Sequence, residues 1–394
     1  MIDKIRGNRD YRIQKEVTYE KNNQIGMDVH STNYTLCAME PIIGAEERVF
    51  GETKVEPDYK WIICFIESLK MKLGYENDYS IECGYEAGCL GYTLYHQLTN
   101  AGIKCVILAP TTMLTPQGLR IKTDKRDANL IAKCLCYGGY HPVYIPTGED
   151  DAVKEYLRMR DDHKKALKKL KQQINAFTLR HGHQYTGTKW SVKHVIWLNK
   201  LELKPMYRET LDEYMISYQE QESKIERYDK RIEEIATEAR YKENVGKLGC
   251  FLGIRTHTAL SLIVETGDFN RFAKGNTYAA FLGLVPGEHS SSNSVNRLGI
   301  SKAGNKHLRC LLIEAARGIC KGAIGYKSKT LRSRQNGQAP EIIAYADKAN
   351  IRLRRKYHKM IRHGKKKNVA VAAVARELAC FIWGMMTGRI SITA

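Results

Sequence analysis

The hydrophobic period of this chain changes near residue 150, and that change limits its architecture more than any other feature. Before it, from Gln24 to about Pro142, short runs of β-branched and aromatic residues alternate with runs of helical period. The first two strand-like runs, IGMDV and YTLCAM, flank the turn-forming segment HSTN, which predicts a β-hairpin, and the later runs follow a β-α-β-α order. The pattern predicts a mixed α/β domain at residues 23–150, with predominantly helical structure after it.

Apolar side chains recur every three or four residues in two long stretches after residue 150. This spacing predicts two long coiled-coil helices within residues 151–243, joined by a segment that contains Gly182, Gly187 and Pro205. The helices are expected to form an antiparallel hairpin or a dimerising arm. Because several tyrosines lie on the seam, the pair is too polar to be stable alone, and we expect a homo-oligomer that supplies partner helices.

The remaining residues, 244–394, predict a third and mainly helical unit. Its first two helices meet at Gly253 and Ile254, a turn that can leave backbone N–H groups facing a phosphate. The most apolar stretch, Val369 to Met386, has an Arg-Glu pair at its centre, so we expect a core helix and no membrane partner. Residues 1–22 form a charged N-terminal extension without the apolar stretch of a signal peptide.

The chain is strongly basic. It carries 63 Lys and Arg against 43 Asp and Glu, a formal net charge of +20, which favours a polyanionic partner such as nucleic acid. Hydrophobic residues make up 43% of the chain, enough for packed cores, so a disordered basic tail is excluded. Two basic runs, residues 163–171 and 352–367, predict contacts with a nucleic-acid backbone. The 11 cysteines include no C-x-x-C pair, which favours a reducing cytoplasm over a disulfide framework or a zinc site.

Acidic residues near strand ends and at a helix start are the candidate metal ligands. Asp28 lies in the first apolar run. Glu82 and Glu86 share one face of a later strand, and Asp124 and Asp127 point to one side at the start of a helix. Carboxylates from three elements can converge on a divalent cation. Taken alone, each acid is more readily explained as a helix cap or a solvated strand-edge residue, and the spacing does not exclude that interpretation.

Two sets of segments resemble one protein family. The segments GMDVHS, ECGYEAG and KTDKRDANLIA resemble, in order and spacing, the Asp-Glu-Asp-Asp motif of transposases of the insertion-sequence-110 family. The segments GIRTHTALSLIVETGDFNRF, YAAFLGLVPGEHSSS and GISKAGNKHLRCLLIEAA resemble the C-terminal transposase domain of that family. The resemblance extends from about Ile25 to Ala394, and it implies that the first domain has a RuvC-like ribonuclease-H fold. The acids that it implies as catalytic Mg²⁺ ligands are Asp28, Glu86, Asp124 and Asp127, with a lesser claim for Glu82.

Three consecutive serines, Ser290 to Ser292, follow the segment GLVPGEH. Serines in such polar loops are mostly turn formers. The resemblance implies instead that one of them attacks a DNA phosphodiester and holds a covalent phosphoserine, and alignment through GLVPGEHSS places this nucleophile at Ser291, with Ser290 and Ser292 as alternatives. A serine hydroxyl needs a base, a metal or a strong local field to act. His289 is a candidate base, although a lone histidine in a loop more often contacts phosphate or makes a hydrogen bond.

A short basic segment precedes the next helix. Lys302, Lys306 and Arg309 alternate with small residues there, which suits a phosphate-contacting loop, although an ordinary solvated turn explains them equally well.

The resemblance implies a DNA transposase, a site-specific serine recombinase that acts on donor and target DNA with a non-coding guide RNA encoded by the element. It also implies a dimer or tetramer in which the acids of one protomer meet the serine of another. Two alternatives stay open. One is a RuvC-like, metal-dependent endonuclease in which the serines only bind, and the other is a nucleic-acid-binding scaffold without catalysis.

Overall fold

The computed structural model describes residues 22–42, 47–73, 80–88, 90–114, 123–288 and 296–390. These residues fall into two units that divide between Ile145 and Pro146, and each unit has its own apolar core. The first unit combines a β-sheet with helices, whereas the second is almost entirely helical. The predicted change from mixed α/β structure to mainly helical structure is confirmed.

The first unit is built on one five-stranded sheet. Its strands are β1 (Asn22–Val29), β2 (Tyr34–Glu40), β3 (Arg48–Val55), β4 (Ser80–Glu86) and β5 (Lys104–Leu108). The order across the sheet is β3-β2-β1-β4-β5. Strand β2 runs antiparallel to β1 and β3, whereas β4 runs parallel to β1 and β5. The β1–β2 pair is the predicted hairpin, and its turn is closed by a 3.0 Å hydrogen bond from the His30 N–H to the Asn33 carbonyl.

Helices cover both faces of this sheet. They are α1 (Tyr59–Leu73), α2 (Thr93–Asn100) and α3 (Asp124–Tyr137). Because side chains alternate along a strand, Ile25 and Met27 of β1 pack with α1 and α2, and Gly26 faces α3. A Cβ atom at Gly26 would overlap the backbone of Ala128 and Ala132, so glycine at this position is what allows α3 to lie directly on β1.

The second unit begins with two long helices. They are α4 (Gly148–Arg180) and α6 (Pro205–Ala236), with the short helix α5 (Val192–Asn199) between them. Arg160 of α4 pairs with Asp229 of α6 at 2.7 Å, and Lys171 pairs with Glu222 at 3.1 Å, so the two helices are antiparallel. The two long helices that the spacing predicted are present as an α4–α6 hairpin. Their coiled-coil winding and the partner helices of a second protomer stay predictions.

The rest of the second unit is a helical bundle with one small ribbon. Its helices are α7 (Ala239–Gly249), α8 (Thr256–Thr266), α9 (Gly275–Phe281), α10 (Lys306–Cys320), α11 (Lys329–Gln335), α12 (Pro340–Arg362) and α13 (Lys367–Met386). The antiparallel strands β6 (Pro286–Glu288) and β7 (Arg297–Ile300) form the ribbon. Helix α13 lies at the centre of the core, where Val374, Leu378 and Ile382 are fully buried.

Helix α13 is also, among the described residues, the one helix long and apolar enough to cross a membrane. Half of its apolar window is buried inside the protein, however, and Glu377 at its centre forms ion pairs with Arg352 and Lys356 of α12. Its packing is that of the core helix predicted from the sequence.

Candidate metal site and nucleophile segment

The close contact between β1 and α3 determines where three of the candidate acids lie. Asp28 is two residues beyond Gly26 on β1 and therefore faces the same side of the sheet. Ala128 of α3 lies over Gly26, and one helical turn earlier the first turn of α3 carries Asp124 and Asp127. The strand end and the helix start thus meet at one edge of the sheet, and the three carboxylates gather there.

The first turn of α3 is also a well-formed helix start. The Thr123 hydroxyl oxygen accepts a 3.4 Å hydrogen bond from the Arg126 N–H, as an N-cap residue does. Asp124 and Asp127 occupy the first turn, where the helix dipole favours negative charge. A helix start of this kind favours the negative charge that a carboxylate ligand must carry.

Glu86 reaches this edge from the neighbouring strand. Gly26 of β1 pairs with Gly84 of β4, and two residues further along these parallel strands stand Asp28 and Glu86. Adjacent strands are about 4.8 Å apart, so the two carboxylates begin from neighbouring strand ends on the same face. Glu82 lies four residues earlier, roughly 13 Å back along β4. The topology therefore places Glu86, and not Glu82, beside Asp28.

The electrostatics of Asp28 are those of a crowded acidic site. Burial raises the pKa of its carboxyl group, the nearby His30 lowers it, and the negative charges of Asp127 and Asp124 raise it again, with a net increase. His30 Nε2 lies 3.2 Å from Asp28 Oδ2, and Lys54 Nζ donates to Asp124 Oδ2 at 3.1 Å. A partly buried carboxylate beside two others is stabilised by a cation, so the donor set fits a hard divalent metal ion.

His30 is a member of this site that the sequence analysis did not assign. Among the described residues, the ligand atoms of Asp28, His30 and Asp124 all lie within 4.8 Å of one another. Glu86 and Asp127 lie outside that closest group. The sequence did contain a signal for His30, because it lies two residues after Asp28 at the end of a strand. His30 also begins the HSTN segment, however, and there it was interpreted as a turn residue. An imidazole nitrogen is a less suitable ligand for Mg²⁺ than for a transition metal.

The candidate nucleophile and its neighbours lie outside the described residues. This applies to Ser290, Ser291 and Ser292 and also to His289. The flanking strands are described: Pro286 of β6 pairs with Ile300 of β7, and Glu288 pairs with Arg297. The serines therefore lie, in sequence, between the two strands of the ribbon.

The three basic residues after the ribbon differ in exposure. Lys302 and Lys306 are exposed, and Lys302 adopts a left-handed backbone conformation with φ of 58°. Arg309, by contrast, is buried, and its guanidinium donates a 2.9 Å hydrogen bond to the Leu282 carbonyl. A buried guanidinium that is engaged within the protein is poorly placed for a phosphate, which favours a structural role for Arg309; its contact with nucleic acid stays a prediction.

The turn between α7 and α8 uses much of its backbone within the protein. The Leu252 N–H donates to Asn350 Oδ1 at 3.1 Å, and the Ile254 N–H donates to the Phe251 carbonyl at 3.3 Å. A Cβ atom at Gly253 would meet the Ala315 carbonyl of α10. These contacts engage the two flanking N–H groups and pack Gly253 against α10, which leaves little of this turn to receive a phosphate.

Two family models match this chain. Residues 25–181 match a transposase model of IS110 elements that is named for a DEDD motif. Residues 248–329 match the model described as "Transposase IS116/IS110/IS902 family". The first range contains the acidic site, and the second contains the segment with the three serines.

Known transposases are similar over most of the chain. A putative transposase, y4qE, of Sinorhizobium fredii is 31% identical over 363 residues, which span 92% of this chain and 87% of the relative. The transposase for insertion sequence element IS1533 of Leptospira borgpetersenii is 32% identical over 343 residues, 85% of this chain and 96% of the relative. A pilin gene-inverting protein of Moraxella lacunata is 24% identical over 234 residues, 58% and 63% respectively. The resemblance is confirmed: this chain belongs to the IS116/IS110/IS902 family of transposases.

Proposed function

We propose that this transposase cuts and rejoins DNA through a covalent phosphoserine, with a Mg²⁺ site in its first unit and the nucleophile Ser291 in its second. The observation that supports the metal site most strongly is the convergence of β1, β4 and α3, which brings Asp28, Glu86 and the first turn of α3 to one edge of the sheet. The remaining ligands of the proposed set are Asp124 and Asp127.

The proposed fold of the first unit is RuvC-like, that is, a ribonuclease-H fold. Three antiparallel strands followed by two parallel ones, in the order β3-β2-β1-β4-β5, support this assignment. A helix packed across the central strand, with acids at its start, agrees with it as well. The domain boundaries that we propose are residues 23–150 for the metal-binding domain, 151–243 for the arm and 244–394 for the serine domain.

The protein groups around the acidic site have separable tasks. Asp28 must be ionised to bind a cation, and contact with His30 favours that form. Lys54 lowers the pKa of the exposed Asp124 through a hydrogen bond and so keeps this carboxylate ionised. Bound among these carboxylates, Mg²⁺ would supply charge stabilisation for the oxygens of the scissile phosphodiester.

The proposed nucleophile distinguishes recombination from hydrolysis. Ser291 Oγ would form a bond to phosphorus while the bond from phosphorus to the sugar oxygen breaks, and the leaving hydroxyl takes up a proton. The phosphoserine ester preserves the phosphodiester energy, so the strand can be rejoined without an external energy source. The family supports this assignment, as does the printed name of the Moraxella relative, because inverting a gene requires that DNA ends be joined again.

The proposed partners are donor and target DNA, a non-coding guide RNA encoded by the element, and further copies of this chain as a dimer or tetramer. The net charge of +20 supports a nucleic-acid partner without distinguishing DNA from RNA. The guide RNA and the oligomer rest on the family resemblance, and a cytoplasmic location is the expectation for a protein with these partners.

A hydrolytic endonuclease is the second candidate function. The observation that favours it is that all four acids belong to the first unit, so that the proposed set of metal ligands does not require the serine segment. In this alternative the acids activate water, and the serines only contact DNA.

A denaturing gel separates the two functions. The purified protein, expressed together with the element's non-coding RNA, is incubated with Mg²⁺ and a labelled DNA that spans the element boundary. A labelled band that migrates with the protein, and that disappears in Ser291→Ala, supports recombination. Ser290→Ala and Ser292→Ala are the matched controls, and loss of the band in one of them alone would move the nucleophile to that position. Cleavage without any adduct, unaffected by all three substitutions, would establish the nuclease.

A further inference from the structure

A partly buried ionic network lies in the second unit. We define the α8 network as Arg158, Arg160, Asp161, Asp229, Glu265 and His307. It joins α4, α6, α8 and α10, and its directly bonded members are up to 146 residues apart in the chain. Sequence analysis assigned no role to any of these residues.

Glu265 of α8 is the most deeply buried member, with a side chain only 1% exposed. Its carboxylate accepts hydrogen bonds from three side chains: His307 Nδ1 of α10 at 2.5 Å, Nδ2 of the α10 cap residue Asn305 at 2.8 Å and Arg158 Nη2 of α4 at 3.0 Å. A carboxylate removed from water requires such donors, because an unpaired buried charge is strongly destabilising. Glu265 therefore fixes three elements to one point.

His307 connects Glu265 to a second carboxylate. Its other ring nitrogen, Nε2, donates to Asp161 Oδ2 of α4 at 2.8 Å. Asp161 also accepts from Arg160 Nη1 at 3.0 Å, and Arg160 in turn binds Asp229 of α6. The ring of His307 thus lies between carboxylates on α4 and α8, and both of its nitrogens act as donors.

A ring that donates from both nitrogens is an imidazolium. Burial disfavours its charge, but the hydrogen bonds to Asp161 and Glu265 outweigh burial and raise the pKa of His307 to about 9. The charged and titratable groups that face it are Arg158, Arg160 and Asp161 of α4 and His257 and Glu265 of α8.

The charges of the network balance without a metal ion. Asp161, Asp229 and Glu265 carry three negative charges, and Arg158, Arg160 and His307 carry three positive ones. A cation placed among them would have to displace a guanidinium or the imidazolium. The arrangement is therefore a closed contact between helices and not a second metal site.

The position of the network in the chain suggests its task. Asn305 caps α10 by accepting a 3.0 Å hydrogen bond from the Leu308 N–H, and the same side chain donates to Glu265. Just before it, the Lys302 N–H donates to the Gly283 carbonyl and the Ser301 N–H donates to the Val285 carbonyl. These bonds join the residues just before β6 to those just after β7, and the Asn305 N–H at the start of α10 donates to the Phe281 carbonyl at 2.9 Å. The start of α10 is thus attached to the open end of the β6–β7 ribbon, between whose strands the three serines lie in sequence.

We propose that His307 is a positioning residue for the β6–β7 ribbon: by bridging Asp161 of α4 and Glu265 of α8, it fixes the start of α10, and the ribbon before it, to the base of the α4–α6 hairpin. The orientation of the ribbon then follows that of the hairpin. The inference rests on the proposed function, because it assigns a purpose to the ribbon that depends on the serine.

Hydrogen exchange, measured without DNA, tests whether His307 holds the ribbon and the start of α10 in place. In His307→Gln, which is neutral and bridges the carboxylates poorly, amides at 283–288 and 296–309 should exchange roughly tenfold faster or more, while α12 and α13 keep their protection. His307→Arg, which retains the charge and several donors, should restore most of the protection. His96→Gln, an exposed histidine of α2, is the matched control and should leave both regions unchanged. Asp161→Asn weakens the same bridge at its carboxylate end, and it replaces His307→Gln in the experiment if that variant does not fold.

The pH dependence of amide protection is a second test, because a residue with a purely structural role would not make protection depend on pH. Because the contribution of His307 is present at neutral pH and lost as pH rises through about 9, protection of the ribbon in the wild type should fall relative to His307→Arg over that range. Equal protection in His307→Gln and the wild type, or a uniform loss that includes α12 and α13, would overturn the proposal.

The serine adduct assay tests whether the His307 bridge contributes to activity. His307→Gln should reduce the rate of adduct formation by about tenfold or more while nucleic-acid affinity is retained, and His307→Arg should recover it. If the wild type forms no adduct, the proposed function fails while the exchange result still decides the mechanical coupling. If the adduct forms at the wild-type rate in a His307→Gln protein whose ribbon exchanges faster, the positioning role is wrong.

Discussion

Asp28 combines partial burial, two neighbouring carboxylates and a histidine contact, and its pKa is raised as a result. A carboxyl group of this kind destabilises the folded protein when it is ionised and no cation is bound. Asp28→Asn should therefore fold at least as well as the wild type in EDTA. Mg²⁺ should raise the melting temperature of the wild type by mass action and leave that of the variant unchanged.

Differential scanning fluorimetry over a range of Mg²⁺ concentrations measures both effects. Glu82→Gln is the control, because Glu82 lies away from the strand end and its substitution should leave the Mg²⁺ response intact. A variant that melts well below the wild type in EDTA would return Asp28 to a structural role.

The basic residues near α10 give a second prediction. Lys302 and Lys306 are exposed, so replacing either with glutamine should weaken nucleic-acid binding and reduce the slope of log affinity against log salt by about 1, with little change in stability. Arg309→Gln should do the opposite, lowering the melting temperature and leaving that slope unchanged, because its guanidinium binds the Leu282 carbonyl. Fluorescence anisotropy with a labelled DNA duplex, together with thermal melts, separates the two patterns. A stable Arg309→Gln protein with a reduced salt slope would contradict the structural role of Arg309.

The α8 network predicts a pH dependence of folding. The pKa of His307 is about 9 in the folded protein against an ordinary value of 6.5, so its contribution is complete below pH 6.5 and is lost as pH rises through 9. Glu265, with a pKa of about 2 against 4.5, contributes fully above pH 4.5 and loses its contribution as pH falls through 2. The free energy of unfolding should therefore fall on the order of 1 kcal/mol or more between pH 6.5 and 9.5.

Urea denaturation followed by circular dichroism at several pH values measures this change. His307→Gln should show a flatter profile on the alkaline side, because the group that titrates is gone. An alkaline loss of the same size in the variant would assign the pH dependence to other residues.

At the scale of single elements, much of the first unit could be predicted from the chain alone. The HSTN turn predicted the β1–β2 hairpin, and Asp124 and Asp127 lie at the start of a helix, α3, as the sequence predicted. The neighbourhood of Asp28 and Glu86 could not be predicted from spacing, because it depends on the parallel pairing of β1 with β4, which are more than 50 residues apart. Long-range strand pairing is decided by packing, which a local pattern does not encode.

Two features of the second unit also depend on tertiary packing. Arg309 follows glycines and lysines in a run typical of an exposed basic loop, and only its packing against the 282–283 turn reveals that it is buried. The α8 network joins Asp161, Glu265 and His307 from three helices, and none of these residues is unusual in its local sequence. A buried charge is visible only once the elements around it are assembled.

The contact of Gly26 with α3 gives a prediction at the element scale. Gly26→Ala places a Cβ atom against the backbone of Ala128 and Ala132, so α3 must move away from β1. We expect a loss of about 1–3 kcal/mol of stability, as for other overpacked cores, and a weaker Mg²⁺ response because Asp124 and Asp127 move with the helix. Gly148→Ala, at a position with open space around it, should leave both quantities unchanged.

Chemical denaturation and Mg²⁺-dependent melting of the two glycine variants provide the measurements. A Gly26→Ala protein with wild-type stability and an intact Mg²⁺ response would show that α3 does not need this close approach.

For the whole molecule, the net charge of +20 predicts a strong dependence of nucleic-acid binding on salt. If six or more phosphates are contacted, affinity for a labelled 40-base-pair duplex should fall roughly 10³-fold between 50 and 200 mM salt, because each contact releases a condensed counterion. Titrations at four salt concentrations, monitored by anisotropy, give the slope directly. A slope near zero would exclude a large backbone footprint for this protein.

The equal numbers of acidic and basic groups in the α8 network have an evolutionary consequence. An electrically neutral cluster adds little to the long-range field, so surface lysines and arginines can be gained or lost as an element adapts to new DNA without disturbing the contact between helices. The affinity for nucleic acid and the packing of the helices against one another can then change independently. This is an advantage for a mobile element that passes between hosts of different ionic composition.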